Sequence, residues 1–165
     1  MKPVFLVVDV QQKFFEYGPE TATSLHKAVY FINEALAFFR EKKLPIIVVQ
    51  HIDEAEGLVP GTPGFELPES LKILSTDRRI HKTYGNAFTK TELETVLRNL
   101  GVDTVIISGF CAEYCILSTY RGALDKDFTP ALLRWTLASI NPANIPFVES
   151  INDTISLNIL KKALE

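Results

Sequence analysis

The residues of this sequence best suited to covalent chemistry are two cysteines, Cys111 and Cys115. They follow a β-branched apolar run at residues 102–107 and precede a helical pattern that continues to Leu124. A thiol in the first turn of a helix lies near unpaired N–H groups and the positive end of the helix dipole. Both features favour the thiolate, which is the reactive form of cysteine. We therefore expect this turn to be the place in the chain where covalent chemistry occurs.

Asp9 and Lys82 are the side chains that would complete a nucleophilic site. Asp9 directly follows an apolar run at residues 4–8, and Lys82 ends a short run at residues 79–82. Each has an ordinary explanation when taken alone, because aspartates often cap turns and most lysines are solvated. Together with Cys115 they form a workable set for nucleophilic catalysis. Lys82 would stabilise the thiolate, and Asp9 would accept the thiol proton and later hand a proton to the leaving group.

These three side chains must be brought together by the strands of a parallel sheet. Residues 4–8 and 46–50 read as buried strands, and an amphipathic helix over about residues 21–42 separates them. This order implies a right-handed crossover between parallel strands. The carboxyl ends of such strands meet at one edge, where ligands bind in open α/β sheets.

The rest of the chain continues the alternation of strands and helices. The predicted elements are a strand at 79–82, a helix over about 93–100, the strand at 102–107, a weaker strand at 128–133, a short helix from Asn141 through Val148, an edge strand at 154–156 and a helix at 157–164. There are no repeats or low-complexity tracts. We expect one domain over residues 1–165, with a three-layer α/β/α, doubly wound, mainly parallel sheet of about six strands.

The composition argues against several classes of protein. Hydrophobic residues make up 47% of the 165 residues, and the formal net charge of −3 favours neither nucleic acid nor an anionic membrane as a partner. No apolar stretch approaches a transmembrane span, and the N-terminal segment does not read as a signal peptide. Two cysteines spaced C-x3-C do not make a disulfide framework, so we predict a cytoplasmic location.

Four segments of the chain resemble the isochorismatase-like cysteine hydrolases, a superfamily that includes nicotinamidases and N-carbamoylsarcosine amidases. The segments are VVDVQ around Asp9, GTPGFEL in the loop after the second predicted strand, HKTYGNAF around Lys82 and GFCAEYCILSTYRGA around Cys115. Each motif alone is weak. The Asp9, Lys82 and Cys115 motifs in this order and spacing are fairly specific together, and the resemblance covers almost the whole chain.

The resemblance implies a sheet with strand order 3-2-1-4-5-6 and a catalytic triad of Asp9, Lys82 and Cys115. It also implies a cis peptide between Phe110 and Cys111, and an oxyanion hole formed by the backbone N–H groups of Cys111 and Cys115. The implied activity is hydrolysis of an amide-type C–N bond in a small molecule through a thioester, without a cofactor. Members of the family are commonly oligomeric, so a homo-oligomer of two or more copies is expected.

Two positions depart from the pattern of the family. Nicotinamidases in this family bind zinc through an Asp-x-His pair and a further histidine, whereas this chain has His51-x-Asp53 and no clear third ligand, which argues against a metal site. Cys111 stands where many relatives carry alanine or a similarly small residue. We favour a small core filler at this position; the alternatives are a reversible disulfide or protection of Cys115 from overoxidation.

The substrate pocket is the least defined part of the prediction. Phe14, Tyr84 and Tyr114 are candidates to line a flat apolar pocket, and Gln11 and Gln50 are candidates for polar contacts with the substrate. Two other functions stay open. One is a non-catalytic or redox-responsive binding module on the same fold, since a fold does not fix a function. The other is a vinyl-ether hydrolase of the isochorismatase type.

Overall fold

A computed structural model describes residues 1–165 and contains one six-stranded parallel sheet in the order β3-β2-β1-β4-β5-β6. The strands are β1 (Pro3–Val8), β2 (Ile46–His51), β3 (Arg78–Lys82), β4 (Thr104–Phe110), β5 (Thr129–Ala138) and β6 (Thr154–Ile155). The helices are α1 (Pro19–Glu41), α2 (Leu93–Asn99), α3 (Leu117–Leu124), α4 (Asn144–Ser150) and α5 (Leu157–Ala163), with a 3-10 helix at Gln12–Glu16 and a π-helical turn at Ala112–Ile116. The predicted α/β fold and strand order are confirmed.

Helices cover both faces of the sheet, which explains why its central strands are apolar throughout. The side chains of β1 alternate: Leu6 packs in the core beneath α2, α3 and α4, whereas Phe5 and Val7 pack beneath α1 and α5. Every residue of β1 and β4 is buried. Burial of both faces removes the polar–apolar alternation typical of half-exposed strands. None of the helices is both long enough and apolar enough to span a bilayer.

β5 is longer than the sequence predicted. The pattern predicted a strand ending at residue 133, but the strand continues to Ala138 after an irregularity in its pairing with β4. Arg134 and Trp135 are exposed within it, and Trp135 has a φ of 73°. This bulge interrupts the apolar run, so the second half of the strand does not stand out in the sequence.

A close backbone approach joins the ends of β1 and β4. Gly109 has a φ of 116°, and a side chain there would overlap the backbone of Val8. Only glycine combines this conformation with so close a contact. The residue after Val8 is Asp9, itself at a positive φ of 54°. The approach therefore places Asp9 directly beside the chain that leads into the turn carrying Cys115.

Candidate active site

Three different elements deliver the predicted catalytic side chains to the carboxyl edge of the sheet. Asp9 follows β1, Lys82 is the last residue of β3, and Cys115 lies in the π-helical turn after β4. The structure brings them into contact: the Lys82 ammonium lies 2.8 Å from Asp9 Oδ2 and 3.4 Å from Cys115 Sγ. Lys82 and Asp9 are each 1% exposed, so this ion pair is removed from solvent.

The Lys82 ammonium is the centre of the cluster. Besides Asp9 and Cys115, it lies 3.0 Å from the carbonyl oxygen of Tyr84 and 3.1 Å from Nδ1 of His51. An ammonium has only three protons, and it cannot accept a hydrogen bond. The sulfur, at the longest distance, therefore competes with three better-placed acceptors. His51 Nδ1 must accept, which leaves the ring proton on Nε2 of a neutral imidazole.

One carboxylate oxygen of Asp9 has a partner within the protein and the other has none. Oδ2 pairs with Lys82, whereas the buried Oδ1 has no hydrogen-bond partner. Burial raises the pKa of the Asp9 carboxyl above its ordinary value, although the charge of Lys82 and its hydrogen bond to Asp9 oppose that effect. A carboxylate with a raised pKa and a free oxygen beside a thiol is well placed to accept the thiol proton.

Cys115 is a thiol rather than a thiolate in this environment. Burial and the negative charge of Asp9 raise the pKa of Cys115 to about 12, and the opposing effect of Lys82 does not compensate. Lys82 acts in the expected direction, but burial and Asp9 outweigh it, so the pKa of this thiol lies above its ordinary value. The sequence argument counted the helix terminus and the lysine, but it could not weigh the removal of the sulfur from water.

A cavity of about 180 Å³ opens onto the sulfur. Its walls include Asp9, Cys111 and Cys115, and two of the predicted pocket residues, Phe14 and Tyr114, also line it. A larger cavity of about 530 Å³ lies near the starts of α1 and α4, but no cysteine or histidine lines it. The smaller cavity is therefore the candidate active site.

The other three predicted pocket residues do not line this cavity. Gln11 is buried and brackets the backbone of His51: its Oε1 accepts from the His51 N–H at 2.7 Å, and its Nε2 donates to the His51 carbonyl at 3.0 Å. Gln50 is buried and donates to the carbonyl of Phe65 at 3.0 Å. Both polar atoms of the Gln11 amide are thus used by the backbone of His51, whereas the buried Oε1 of Gln50 has no hydrogen-bond partner.

The side chain of Tyr84 also lies outside this cavity. Its side chain is exposed, and its hydroxyl accepts a hydrogen bond from the Lys90 ammonium at 3.0 Å. Its contribution to the site is the backbone carbonyl that accepts from Lys82. Sequence position alone could not separate a side-chain contact from a backbone contact.

Several cavity residues were not predicted as pocket residues. They are Tyr17, His51, Asp53, Glu56, Leu58, Phe110 and Ile140. Asp53 and Glu56 lie in the loop after β2, whose length was the available signal. His51 and Asp53 were considered only as metal ligands. The structure holds no group of three or more His, Cys, Asp or Glu side chains positioned to hold a metal ion.

Cys111 sits in a polar network on the same turn. Its thiol donates to Glu113 Oε2 at 3.1 Å, and the Glu113 carboxylate also accepts from Ser139 Oγ at 2.6 Å and from Asn144 Nδ2 at 2.9 Å. Burial, followed by Glu113, raises the pKa of the Cys111 thiol to about 12. Cys111 is therefore a hydrogen-bond donor rather than a purely apolar filler. The Phe110–Cys111 peptide is cis, as the resemblance implied.

The profile of the isochorismatase domain family matches residues 3–146. The chain belongs to the isochorismatase family. The matched segment contains Asp9, Lys82 and Cys115, together with the loop after β2 that forms part of the cavity wall. This isochorismatase-family hydrolase is 32% identical over 131 residues to the uncharacterized isochorismatase family protein YddQ of Bacillus subtilis, covering 78% of this chain and 73% of YddQ.

Two further relatives bear on function and fold. The hydrolase is 27% identical over 168 residues to a streptothricin hydrolase of Streptomyces noursei, covering the whole of this chain and 65% of that enzyme. Its structure superposes on an isochorismatase-like hydrolase from Alkaliphilus metalliredigens with a TM-score of 0.90 at 20% identity, over the full length of both chains. At that identity the superposition establishes the fold.

Proposed function

We propose that this protein is a cysteine-dependent hydrolase that cleaves the C–N bond of a small amide through a thioester, with Asp9, Lys82 and Cys115 as its triad. The observation that carries the proposal is the buried Lys82 ammonium, which contacts both the Asp9 carboxylate and the Cys115 sulfur. A fixed cation beside a thiol supports the negative charge that the sulfur acquires as it loses its proton.

In the first half-reaction the Cys115 sulfur attacks the amide carbonyl while its proton moves to the free Oδ1 of Asp9. The C–S bond forms and the carbonyl oxygen becomes an oxyanion. The tetrahedral intermediate then collapses, the C–N bond breaks, and Asp9 returns the proton to the departing ammonia or amine. Because both partners have raised pKa values, the proton moves with the attack and no free thiolate has to accumulate.

The backbone N–H groups of Cys111 and Cys115 are the proposed donors to the oxyanion. The Cys111 N–H makes no hydrogen bond within the protein, which leaves it available to a ligand. Both residues line the cavity. Removal of one such donor typically slows an enzyme by about 10²-fold to 10³-fold.

In the second half-reaction water replaces the amine. Asp9 takes a proton from the water as it attacks the thioester carbonyl, the C–S bond breaks, and the sulfur recovers the proton from Asp9. The net reaction consumes one amide and one water and yields one carboxylic acid and one amine. The relative named streptothricin hydrolase supports hydrolysis as the reaction class.

The redox alternative has less support from the contacts. A regulatory disulfide requires a thiolate on one of the two cysteines, and Glu113 faces the Cys111 sulfur with a carboxylate. That neighbour disfavours a negative charge on Cys111. The vinyl-ether alternative has no specific contact in its favour.

The proposal is tested by screening primary amides for ammonia release and by intact-protein mass spectrometry after an acid quench. We expect turnover to be accompanied by a mass gain equal to one acyl group, located on the peptide that contains Cys115. The Cys115→Ala protein should show neither. Undiminished turnover of an identified amide by Cys115→Ala would overturn the proposal.

A further inference from the structure

We propose that the active-site cavity selects substrates that carry a positively charged group, such as an amine, a guanidinium or a quaternary ammonium, beyond the reacting carbonyl. This inference rests on the proposed function for the position of the carbonyl only. The charge preference follows from the cavity walls, which hold the carboxylates of Asp9, Asp53 and Glu56 but no lysine or arginine side chain.

The charges of Asp53 and Glu56 are not neutralised by the protein. Neither carboxylate forms a salt bridge, whereas the Asp9 carboxylate is paired with Lys82. His51 adds no positive charge, because burial and then Lys82 lower the pKa of its imidazole. Two uncompensated negative charges therefore face the space that a substrate must enter, and they attract cations there.

The two carboxylates are held in place by their own loop. The backbones of Asp53 and Leu58 exchange hydrogen bonds of 2.9 and 2.8 Å across the turn. Asp53 Oδ1 accepts from the N–H groups of Ala55 and Glu56 at 3.0 and 3.3 Å, which leaves Oδ2 free. Glu56 Oε2 accepts from the Tyr17 hydroxyl at 2.6 Å. Fixed carboxylates lose little freedom on binding a cation, so the interaction is not weakened by ordering them.

Aromatic side chains also line this cavity, as is typical of sites that bind organic cations. Tyr17 packs edge-on against Phe14 with ring centroids 5.4 Å apart, and Phe14 packs against Phe110 at 4.8 Å. Tyr114 lines the same cavity and is 62% exposed. Aromatic faces attract ammonium and guanidinium groups, so these rings favour an organic cation.

A second observation ties this acidic wall to a ligand in the cavity. Asp9 also lines the cavity, and its Oδ1 is buried without any hydrogen-bond partner. A buried polar atom without a partner is rare in a folded protein, and it is expected where a ligand or reacting group completes the contact. In the proposed reaction this atom takes the proton of Cys115 and returns it to the amide nitrogen, so the amide lies beside Asp9 and its charged group lies toward Asp53 and Glu56. The occupant is therefore an amide that also carries a cation.

The test compares two amides of the same shape that differ only in charge. The probes are 4-(trimethylammonio)butanamide and its carbon isostere 5,5-dimethylhexanamide, in low-salt buffer with EDTA. Binding is measured by calorimetry on the Cys115→Ala protein, and ammonia release is measured on the wild-type protein. We expect the cationic amide to bind at least about tenfold more tightly, and the preference to shrink as salt is added.

The carboxylates are then neutralised without changing their shape. Asp53→Asn with Glu56→Gln, in the Cys115→Ala background, should abolish most of the preference while leaving binding of the neutral isostere within about threefold. Glu54→Gln is the control for loss of charge from this turn, because it removes one negative charge from the same exposed turn and Glu54 does not line the cavity. It should retain the preference.

Binding and turnover separate the two proposals. Selective binding of the cation without ammonia release supports the charge preference and counts against these amides as substrates of the proposed reaction. Equal turnover of both amides supports the reaction and overturns the charge preference. Tighter binding of the neutral isostere, no binding of either probe, or a preference unchanged in the double variant would each overturn the inference.

Discussion

Cys111 and Cys115 have the same raised pKa, about 12, but oppositely charged neighbours. The Cys115 sulfur lies 3.4 Å from the ammonium of Lys82. The Cys111 sulfur donates to the carboxylate of Glu113 at 3.1 Å. Burial is the largest cause of the raised pKa at both sites. The difference between the cysteines lies in what each sulfur would meet once its proton has left.

The pKa of the thiol therefore does not distinguish the two cysteines, whereas the group facing each sulfur does. If Cys115 loses its proton to Asp9, the thiolate gains a full hydrogen bond from a fixed cation. If Cys111 loses its proton, the thiolate faces a carboxylate in a dry environment. The surroundings of Cys115 thus stabilise a negative charge on its sulfur, whereas those of Cys111 disfavour one. The comparison leads to four predictions.

The largest expected effect comes from removing each sulfur in turn. Cys115→Ala should lower kcat by more than about 10³-fold, because no other group can form the acyl intermediate. Cys111→Ala should retain activity within about tenfold, because its backbone N–H is kept and only the contacts of its sulfur with Glu113 and Ser139 are lost. The measurement is steady-state ammonia release from an amide substrate. Comparable losses in the two variants would break the distinction between the cysteines.

The second prediction compares the charged partners. Lys82→Met removes the cation from a buried pair and leaves Asp9 without a partner, a change that typically costs about 3–5 kcal/mol in the free energy of unfolding. Glu113→Gln keeps most hydrogen bonds of a partly buried group and should cost about 1–2 kcal/mol. Urea denaturation followed by circular dichroism provides both values.

A double variant serves as the control for the lysine. Lys82→Met with Asp9→Asn leaves no unpaired charge, so it should be more stable than Lys82→Met alone. If Lys82→Met lowered the free energy of unfolding by less than about 1 kcal/mol, the ion pair of Lys82 and Asp9 would not contribute to the stability of the fold.

Much of the architecture could be predicted because it depends on local patterns. The apolar runs of β1 and β4 and the helical periodicity of α1 gave the sheet order once the resemblance was included. Asp9, Lys82 and Cys115 were found because each lies at or just beyond the end of a strand. The close approach of Gly109 to Val8, which joins two of those ends, depends on contacts that no local pattern reports.

The other features of the site could not be predicted, because they depend on contacts and burial that exist only in the folded protein. A glutamine that binds a substrate and a glutamine that satisfies a neighbouring backbone look alike in sequence, and both Gln11 and Gln50 donate to backbone carbonyls and lie outside the cavity. The charge state of Cys115 depends on burial, which is a property of the folded molecule. Glu113 and Ser139 meet only because the end of β5 lies beside the π-helical turn at Ala112–Ile116.

The third prediction concerns pH. Asp9 must be a carboxylate to accept the thiol proton, and its pKa is raised above 3.8, so kcat/KM should fall on acidification at a higher pH than an ordinary aspartate would cause. Because the Cys115 thiol stays protonated until about pH 12, kcat/KM should not rise between pH 7 and 10. A thiolate-dependent enzyme would instead gain activity over that range. The pH profile of ammonia release distinguishes the two cases.

The smallest expected effect tests the other sulfur. Burial raises the pKa of Cys111 most, and the hydrogen bond to Glu113 and its charge raise it further. In a Cys115→Ala background, Glu113→Gln should therefore lower the pKa of Cys111 and increase its rate of labelling by a disulfide reagent several-fold at pH 9, since labelling follows the thiolate. Glu149→Gln, a charge removal outside the Cys111 network, should leave the rate unchanged. An identical labelling profile with and without the Glu113 charge would mean that burial alone keeps Cys111 neutral, and the contrast between the two cysteines would then depend on Lys82 only.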